Sequence, residues 1–246
     1  MSDLARSRKP RLGTELVCER VFRPLAHLVV LALAPLRVPP PLVVAASGAA
    51  GLAGAVELAG GHLVVAALLV QLKTVLDNAD GQLARLTGRT SAFGRYLDSE
   101  VDLLVNAALF AGLAWRYGQP ALALAGFLAV TAVLSVNFNV ERLARGAAAE
   151  PDGGGLPTAA LRRVYALVYA PQDRLAERLA TRRPALLEPV AVGTLANLGM
   201  STQLLAFGVC LALGHPLLFP ALALAELPLV ALLALPNRRP RQQEVT

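Results

Sequence analysis

The chain has 246 residues, of which 55% are hydrophobic and 16% are charged, and its mean hydropathy is +0.54. Soluble domains carry about 25% charged residues, so this composition excludes an ordinary soluble domain and indicates an integral membrane protein. The formal net charge is +6, but no aromatic residues interleave with a basic groove, so a nucleic-acid partner is excluded.

The chain begins with a polar segment and an amphipathic one. Residues 1–13 are basic and are predicted to be disordered. In residues 14–37, apolar side chains recur at steps of three and four, which predicts an amphipathic helix on the membrane surface. Prolines from Pro39 to Pro41 end this helix, because a helix cannot continue through consecutive prolines.

Six apolar segments follow, and they predict a domain of six transmembrane helices over residues 42–236. The expected spans lie at about residues 42–58, 63–77, 93–115, 121–140, 186–213 and 217–235. The predicted fold class is therefore an all-α integral membrane protein, with six transmembrane helices preceded by an amphipathic surface helix.

Three segments are predicted to lie outside these spans. Residues 81–95 are expected to form the loop between the second and third spans. Residues 146–184 are predicted to form an interfacial segment. It contains a surface helix over residues 158–182, and Pro171 is expected to break or kink this helix. Residues 237–246 are predicted to be a cytoplasmic tail.

Arginines are distributed unevenly between the two ends of the predicted spans. If the N-terminus is cytoplasmic, the Arg-rich segments 77–95 and 142–183 and the C-terminal tail all lie inside. The turns on the other side hold a single arginine, Arg116. This asymmetry predicts a cytoplasmic-membrane protein with both termini in the cytoplasm.

Four aspartates interrupt the apolar sequence between the second and third spans. They form two pairs, spaced i,i+3 and i,i+4, and each pair lies on one face of a helix: Asp77 with Asp80, and Asp98 with Asp102. If these faces meet, four carboxylates share one pocket, and their repulsion requires a cation among them. Oxygen ligands favour a hard divalent ion such as Mg²⁺. A bound ion could clamp a pyrophosphate, and a neighbouring carboxylate could take the proton of an attacking hydroxyl.

The aspartates are part of a longer pattern, formed by Asp77, Asp80, Gly81, Ala84, Arg85, Gly94, Asp98 and Asp102. In residue identity and spacing, this pattern resembles the signature of the CDP-alcohol phosphotransferase family, membrane enzymes of phospholipid synthesis. The resemblance implies a metal site of Asp77, Asp80, Asp98 and Asp102, which holds one or two Mg²⁺ or Mn²⁺ ions. It also implies catalytic roles for Asp98 and Asp102, and which aspartate is the base stays open.

The same resemblance implies the donor and its binding residues. A CDP-linked lipid, CDP-diacylglycerol, would donate its phosphatidyl group to an alcohol and release CMP. The residues implied to bind CDP are Asp77, Gly81, Ala84, Arg85 and Gly94. The alternative within the family is a small CDP-alcohol that donates its headgroup to a lipid hydroxyl. Family members commonly form homodimers, so a homodimer is expected.

Polar residues at the end of the fourth span are candidates for the acceptor site. Asn139, Arg142 and Arg145 lie at helical steps of three, on one face. Arginines at the depth of the metal cluster could bind a phosphorylated polyol such as glycerol 3-phosphate or inositol phosphate. The alternative is that these arginines only anchor the helix at the cytoplasmic surface.

A function of a different class is a membrane transporter of ions or metals, which would use the same acids as an ion path. The acids cluster at one face, however, and none is aligned through the remaining spans except Glu226. No inverted repeat is evident either. The sequence therefore favours the enzyme.

Overall fold

The structure is a computed structural model that describes residues 13–146, 155–233 and 235. The predicted disorder of residues 1–12 and the predicted tail at 237–246 lie outside these residues, as does 147–154 of the interfacial segment. Throughout the described residues, the regular structure is helical and contains no strand.

Apart from the segment 145–155, the described helices follow one another with short connections. A π-helical turn, Cys18–Phe22, leads into α1, and a 3₁₀ turn, Pro184–Leu187, precedes α8. The α-helices are α1 Arg23–Leu33, α2 Pro40–Gly60, α3 Leu63–Leu86, α4 Ala92–Tyr117, α5 Pro120–Ala144, α6 Leu156–Val168, α7 Ala170–Arg182, α8 Pro189–Ala196, α9 Met200–Ala212 and α10 Leu218–Leu233.

Helix α2 brings the two motif-bearing helices together. Both α3 and α4 pack more extensively on α2 than on any other helix. Helix α2 has glycines where they approach: a Cβ on Gly48 would lie 2.7 Å from Val101 Cγ1, and one on Gly51 would lie 2.5 Å from Val105 Cγ1. Because small residues let membrane helices approach closely, α2 holds α3 and α4 at a short separation.

We expect Gly51→Ala to destabilise the protein by about 1–3 kcal/mol, because the added methyl overlaps the stiff, β-branched Val105. Thermal unfolding in detergent measures this effect. Gly193→Ala is the matched control, since a Cβ on Gly193 meets no described atom within 4 Å. The control should match or exceed wild-type stability, because alanine favours a helix over glycine. Equal stability of the two variants would contradict this packing role of Gly51.

The second predicted span is longer than its sequence suggests. Helix α3 continues to Leu86, so the expectation that residues 81–95 form a loop is wrong, and only residues 87–91 connect α3 to α4. The reason is burial: Ala79 and Leu83 are fully buried against Ala26 and Val30 of α1. This packing outweighs the helix penalty of Gly81, which is about 1 kcal/mol.

The fifth predicted span is broken. Helices α8 and α9 meet at a bend of 41°, where a single helix was expected. The N-terminal segment fills the break: the Asn197 side chain accepts a hydrogen bond from Leu16 N and donates one to Thr14 O, both at 2.9 Å. The Glu15 carboxylate accepts from Thr202 N at 3.3 Å. The Glu15 contact satisfies an amide group in the first turn of α9, which the interruption of the helix leaves without a helical partner.

The predicted surface segments are helical but shorter than expected. The N-terminal helix reaches only to Leu33 and starts with the π-helical turn. The interfacial helix is two helices, α6 and α7, which meet at Tyr169, and Pro171 lies in the first turn of α7. A proline is tolerated there because the first amide groups of a helix have no helical partner.

Among the described helices, α2 and α5 are long and apolar enough to cross a membrane by themselves, and the bent pair α8–α9 is a third candidate. Helices α3 and α4 are of similar length but carry the charged motif. The all-helical fold class is thus confirmed, and two or three helices that could span a membrane are consistent with a membrane protein; six spans stay a prediction.

Candidate metal and phosphate site

Three carboxylates of the motif converge where α3 faces α4. Asp77 of α3 and Asp98 and Asp102 of α4 place carboxylate oxygens within 4.8 Å of one another. The start of α4 fixes the position of its two aspartates, because Ser91 caps the helix and accepts a hydrogen bond from Gly94 N at 3.0 Å. The side chains of Asp77 and Asp102 are only 16% and 17% exposed.

A buried lysine lies among these carboxylates. Lys73 is one turn before Asp77 on α3, and its side chain is 1% exposed. Its ammonium group donates to Asp77 Oδ1 at 2.8 Å and also contacts Asp102 Oδ1. Lys73 therefore faces the pocket between α3 and α4.

Asp80 lies beside the converging carboxylates rather than among them. The four-aspartate group expected from the sequence is therefore three aspartates with a neighbour. Asp80 is 7% exposed, and its Oδ2 accepts no hydrogen bond from any described residue. It interacts electrostatically with Asp77, Asp102, Lys73 and Arg85.

The donor set fits a hard divalent cation. Oxygens around a Mg²⁺ ion lie at about 2.0–2.1 Å from it, and neighbouring ligands in an octahedron are then about 3 Å apart. The oxygens of the three aspartates lie within 4.8 Å of one another, so they would move closer together around a bound ion. The buried, unpaired oxygen of Asp80 supplies a further oxygen without a described partner. The cluster could hold a divalent ion, as the sequence predicted.

Arg85 lies over Gly81 on α3. A Cβ on Gly81 would come within 3.1 Å of Arg85 Nη1, so the glycine leaves space for the guanidinium group one turn away. Ala84 is half-buried on the same helix. Gly94 is in the first turn of α4, where a Cβ would lie 3.2 Å from the capping Ser91 Oγ. These residues lie at the C-terminal end of α3 and in the first turn of α4.

A tyrosine cluster lies beside the acids. Tyr169, at the junction of α6 and α7, donates to Ser99 O on α4 at 3.0 Å. Its ring stacks on Tyr165 at 4.8 Å, and Tyr165 meets Tyr96 edge-on at 5.3 Å. Burial and the neighbouring Asp173 raise the pKa of Tyr165 to about 12. Burial, followed by the charge of Asp102, also raises the pKa of Tyr169. Both phenols therefore stay protonated at neutral pH.

Two of the three predicted acceptor residues, Asn139 and Arg142, contact α7. Asn139 is fully buried, and its amide donates to Asp173 Oδ1 at 2.8 Å. Arg142 donates to Asn139 Oδ1 at 3.2 Å and pairs with Glu177. Arg145 donates to Glu141 O at 3.2 Å. Asn139 and Arg142 thus belong to one network that fastens α7 to the end of α5.

We expect Asp173→Ala to destabilise the protein by about 1–3 kcal/mol, because the fully buried amide of Asn139 loses a charged acceptor. The melting temperature in detergent measures the effect. Arg174→Ala, which changes an exposed residue of the same helix, should stay within about 0.5 kcal/mol of wild type. A melting temperature of Asp173→Ala that equals that of the control would contradict this role of the Asn139–Asp173 contact.

Sequence reasoning missed two neighbours of the acids. Tyr169 is far from the motif in sequence, and no local periodicity places it there. Asn78, a variable position inside the motif, accepts a hydrogen bond from Cys18 Sγ at 3.1 Å and donates to Ser201 Oγ at 3.2 Å. It joins α3 to the N-terminal segment and to α9. The only feature of the sequence that could have indicated these hydrogen bonds is the position of the Asn78 amide directly after Asp77.

Comparison with known proteins decides the family. The model of the CDP-alcohol phosphatidyltransferase family matches residues 30–227, which is most of the chain. The chain belongs to this family. Membership confirms the resemblance carried by the eight-residue pattern, and it supports a CDP-alcohol phosphotransferase of phospholipid synthesis over a transporter. Glu226, the acid that a transporter might have used, accepts a hydrogen bond from Gln203 Nε2 at 2.6 Å.

Several curated relatives share part of the chain. A bifunctional IPC transferase and DIPP synthase of Rubrobacter xylanophilus is 36% identical over 89 residues, which are 36% of this chain and 20% of that protein. A phosphatidylinositol phosphate synthase of Corynebacterium glutamicum is 32% identical over 98 residues, 38% of this chain and 45% of that protein. An archaetidylinositol phosphate synthase of Pyrococcus horikoshii is 41% identical over 51 residues, 21% of this chain and 27% of that protein. The chain therefore spans less than half of the length of these three relatives.

Proposed function

We propose that this chain transfers a phosphatidyl group from CDP-diacylglycerol to a phosphorylated polyol and releases CMP. One observation carries the proposal: in a chain of the CDP-alcohol phosphatidyltransferase family, the carboxylates of Asp77, Asp98 and Asp102 converge within 4.8 Å. These aspartates, with Asp80 beside them, would hold the divalent ion, Mg²⁺ or Mn²⁺. The ion would withdraw charge from the pyrophosphate of the donor and stabilise the departing CMP.

The reaction exchanges one P–O bond for another. The hydroxyl oxygen of the acceptor bonds to the phosphorus that carries the diacylglycerol, and the bond from this phosphorus to the oxygen of CMP breaks. The hydroxyl proton passes to a carboxylate, for which Asp98 and Asp102 are the candidates. The neighbouring phenols of Tyr165 and Tyr169 are protonated at neutral pH because their pKa values are raised, so they are poor bases.

The residues around Gly81 would bind the nucleotide. Arg85 lies over Gly81 and interacts with Asp80, so its guanidinium is close enough to the acids to pair with a phosphate oxygen of CDP. Asp77, Ala84 and Gly94 complete the proposed nucleotide site. We expect the small side chains at 81, 84 and 94 to let the nucleotide approach the backbone closely.

The names of two relatives favour inositol phosphate as the acceptor. They are a phosphatidylinositol phosphate synthase and an archaetidylinositol phosphate synthase. We propose Asn139, Arg142 and Arg145 as the acceptor site. Arg142 pairs with Glu177, so an acceptor phosphate would replace this carboxylate at the guanidinium group, one anion for another. Glycerol 3-phosphate is the second candidate, because it carries the same phosphate.

The enzyme is proposed to cross the membrane six times, with both termini and the acids on the cytoplasmic side. Two contacts support an up-and-down arrangement of α2, α3 and α4. Arg116 lies against Gly61, which joins the α2–α3 and α4–α5 turns at one end. Arg89 donates to Arg37 O at 3.1 Å, which joins the α1–α2 and α3–α4 turns at the other. A homodimer, as the resemblance implies, stays a prediction.

The test is CMP release by the purified protein with CDP-diacylglycerol, Mg²⁺ and a panel of acceptors. Inositol 1-phosphate should support turnover, and inositol, which lacks the phosphate, is its matched control. Glycerol 3-phosphate and serine complete the panel. Release only with a small CDP-alcohol and diacylglycerol would establish the alternative reaction and overturn this one.

A further inference from the structure

Lys73 is chemically unusual in this chain. Of the 23 basic residues, only Lys9 and Lys73 are lysines, and the others are arginines. Lys73 is also among the largest side chains that the described part of the fold buries completely. A lysine ammonium is a compact point charge on a straight stem, whereas arginine presents a wide planar fork. Among the described residues, the buried basic side chains are Lys73 and Arg23, and the more compact cation, Lys73, is the less exposed of the two, at 1% against 9%.

The stem of Lys73 is enclosed by neighbouring helices. A Cβ on Gly51 of α2 would lie 3.2 Å from Lys73 Cγ, so α2 passes directly against the stem. The same glycine contacts Val105 of α4. With its side chain 1% exposed, Lys73 cannot extend to a membrane surface as lysines near helix ends commonly do. The walls of the pocket direct the ammonium group to the carboxylates.

The ammonium group bridges the two helices of the acidic cluster. It contacts Asp77 on α3 and Asp102 on α4, which are two of the three aspartates that converge. Metal ligands bind in their ionised form. If all four aspartates are ionised, the positive charges of Lys73 and Arg85 offset two of their four negative charges, and one divalent ion would balance the other two.

We propose that Lys73 is a resident cation which takes the place of a second divalent ion, so that the free enzyme binds one ion rather than two. This inference rests on the proposed function and specifies the metal content of its site. Lys73 acts as a positioning residue, because it holds Asp77 of α3 close to Asp102 of α4. Asp98, and the carboxylate oxygens of Asp77 and Asp102 that Lys73 does not contact, remain for the ion.

The test is the stoichiometry of Mn²⁺ binding to the full chain in detergent, without substrate, measured from the electron paramagnetic resonance signal of free Mn²⁺. Wild type should bind one ion per chain. Lys73→Met should bind two, with its helix content retained by circular dichroism. Lys73→Gln, which keeps a hydrogen-bonding group without the charge, should also bind two, and it serves as the second variant where Lys73→Met fails to fold. In both variants, the first ion should bind about ten-fold more tightly or better, because a nearby positive charge is gone.

The outcomes separate this inference from the function on which it rests. Two ions in the wild type, or one ion in every folded variant with unchanged affinity, would overturn the role of Lys73 and leave the metal-dependent transferase standing. No binding of Mn²⁺ by the wild type would remove the metal site itself, and with it the proposed function. A purely structural lysine would change the melting temperature without changing the number of ions.

Discussion

Asp98→Asn is expected to abolish CMP release, with kcat lowered by about 10²–10³-fold or more. Asp98 is one of the three aspartates that converge between α3 and α4. An amide in its place carries no charge for a hard cation, and its NH₂ group turns a donor toward Asp77 and Asp102. The rate is measured as CMP released by the purified variant, and the melting temperature reports whether the fold survives.

Glu100→Gln is the matched control for this variant. Glu100 is on the same helix, is half-buried and lies outside the converging group. The same change from a carboxylate to an amide should leave CMP release close to wild type. Normal turnover by Asp98→Asn, or an equal loss in both variants, would contradict the assignment of the site.

Removal of divalent ions is the second change with a large expected effect. A chelator should lower CMP release by more than about 100-fold, and Mg²⁺ or Mn²⁺ should restore it, because the carboxylates alone cannot offset the charge of a pyrophosphate. Ion binding should also stabilise the fold, by about 2.7 kcal/mol at a concentration one hundred times the dissociation constant. The melting temperature measured with and without Mg²⁺ gives this effect independently of activity.

The Asp98→Asn variant serves as the control for ion removal. Its melting temperature should respond less to Mg²⁺ than that of the wild type, because one ligand is lost. Full turnover in excess chelator would contradict metal dependence. An equal thermal response of both proteins would place the stabilising ion at a different site.

The pairing of the aspartates on helix faces could be predicted because it depends on local helical geometry. Spacings of three and four residues place each pair on one face, whatever the rest of the chain does. The exclusion of Asp80 from the converging group could not be predicted, because it depends on the rotation of α3 against α4. That rotation is set by contacts such as Gly48 with Val101, from a third helix.

The predicted ends of α3 and of the fifth span were wrong for the same physical reason. Gly81 reads as the end of a helix, yet α3 continues because Leu83 is buried against α1. The span over residues 186–213 was predicted to be continuous, yet the chain bends near Asn197, where the N-terminal segment forms hydrogen bonds with the Asn197 side chain. In both cases, a contact between residues distant in sequence overrides the local preference.

Helices α6 and α7 show which structural features the local sequence predicts and which depend on contacts between distant residues. The break near Pro171 follows from the chemistry of proline, and α7 does begin at Ala170. The placement of Tyr169 on Ser99, and of Asp173 on Asn139, joins elements that are separated by 70 and 34 residues. No local pattern encodes such pairings, so the network beneath the proposed acceptor site emerges only from the fold.

The most direct test of the central claim follows the phosphorus itself. CDP-diacylglycerol labelled with ³²P in the phosphate that bears the lipid is incubated with the purified protein, Mg²⁺ and inositol 1-phosphate. Phosphatidyl transfer predicts that the label appears in a new, more polar lipid and that the released CMP is unlabelled. Label recovered only in the unchanged donor, from protein that binds both the donor and Mg²⁺, would contradict the claim.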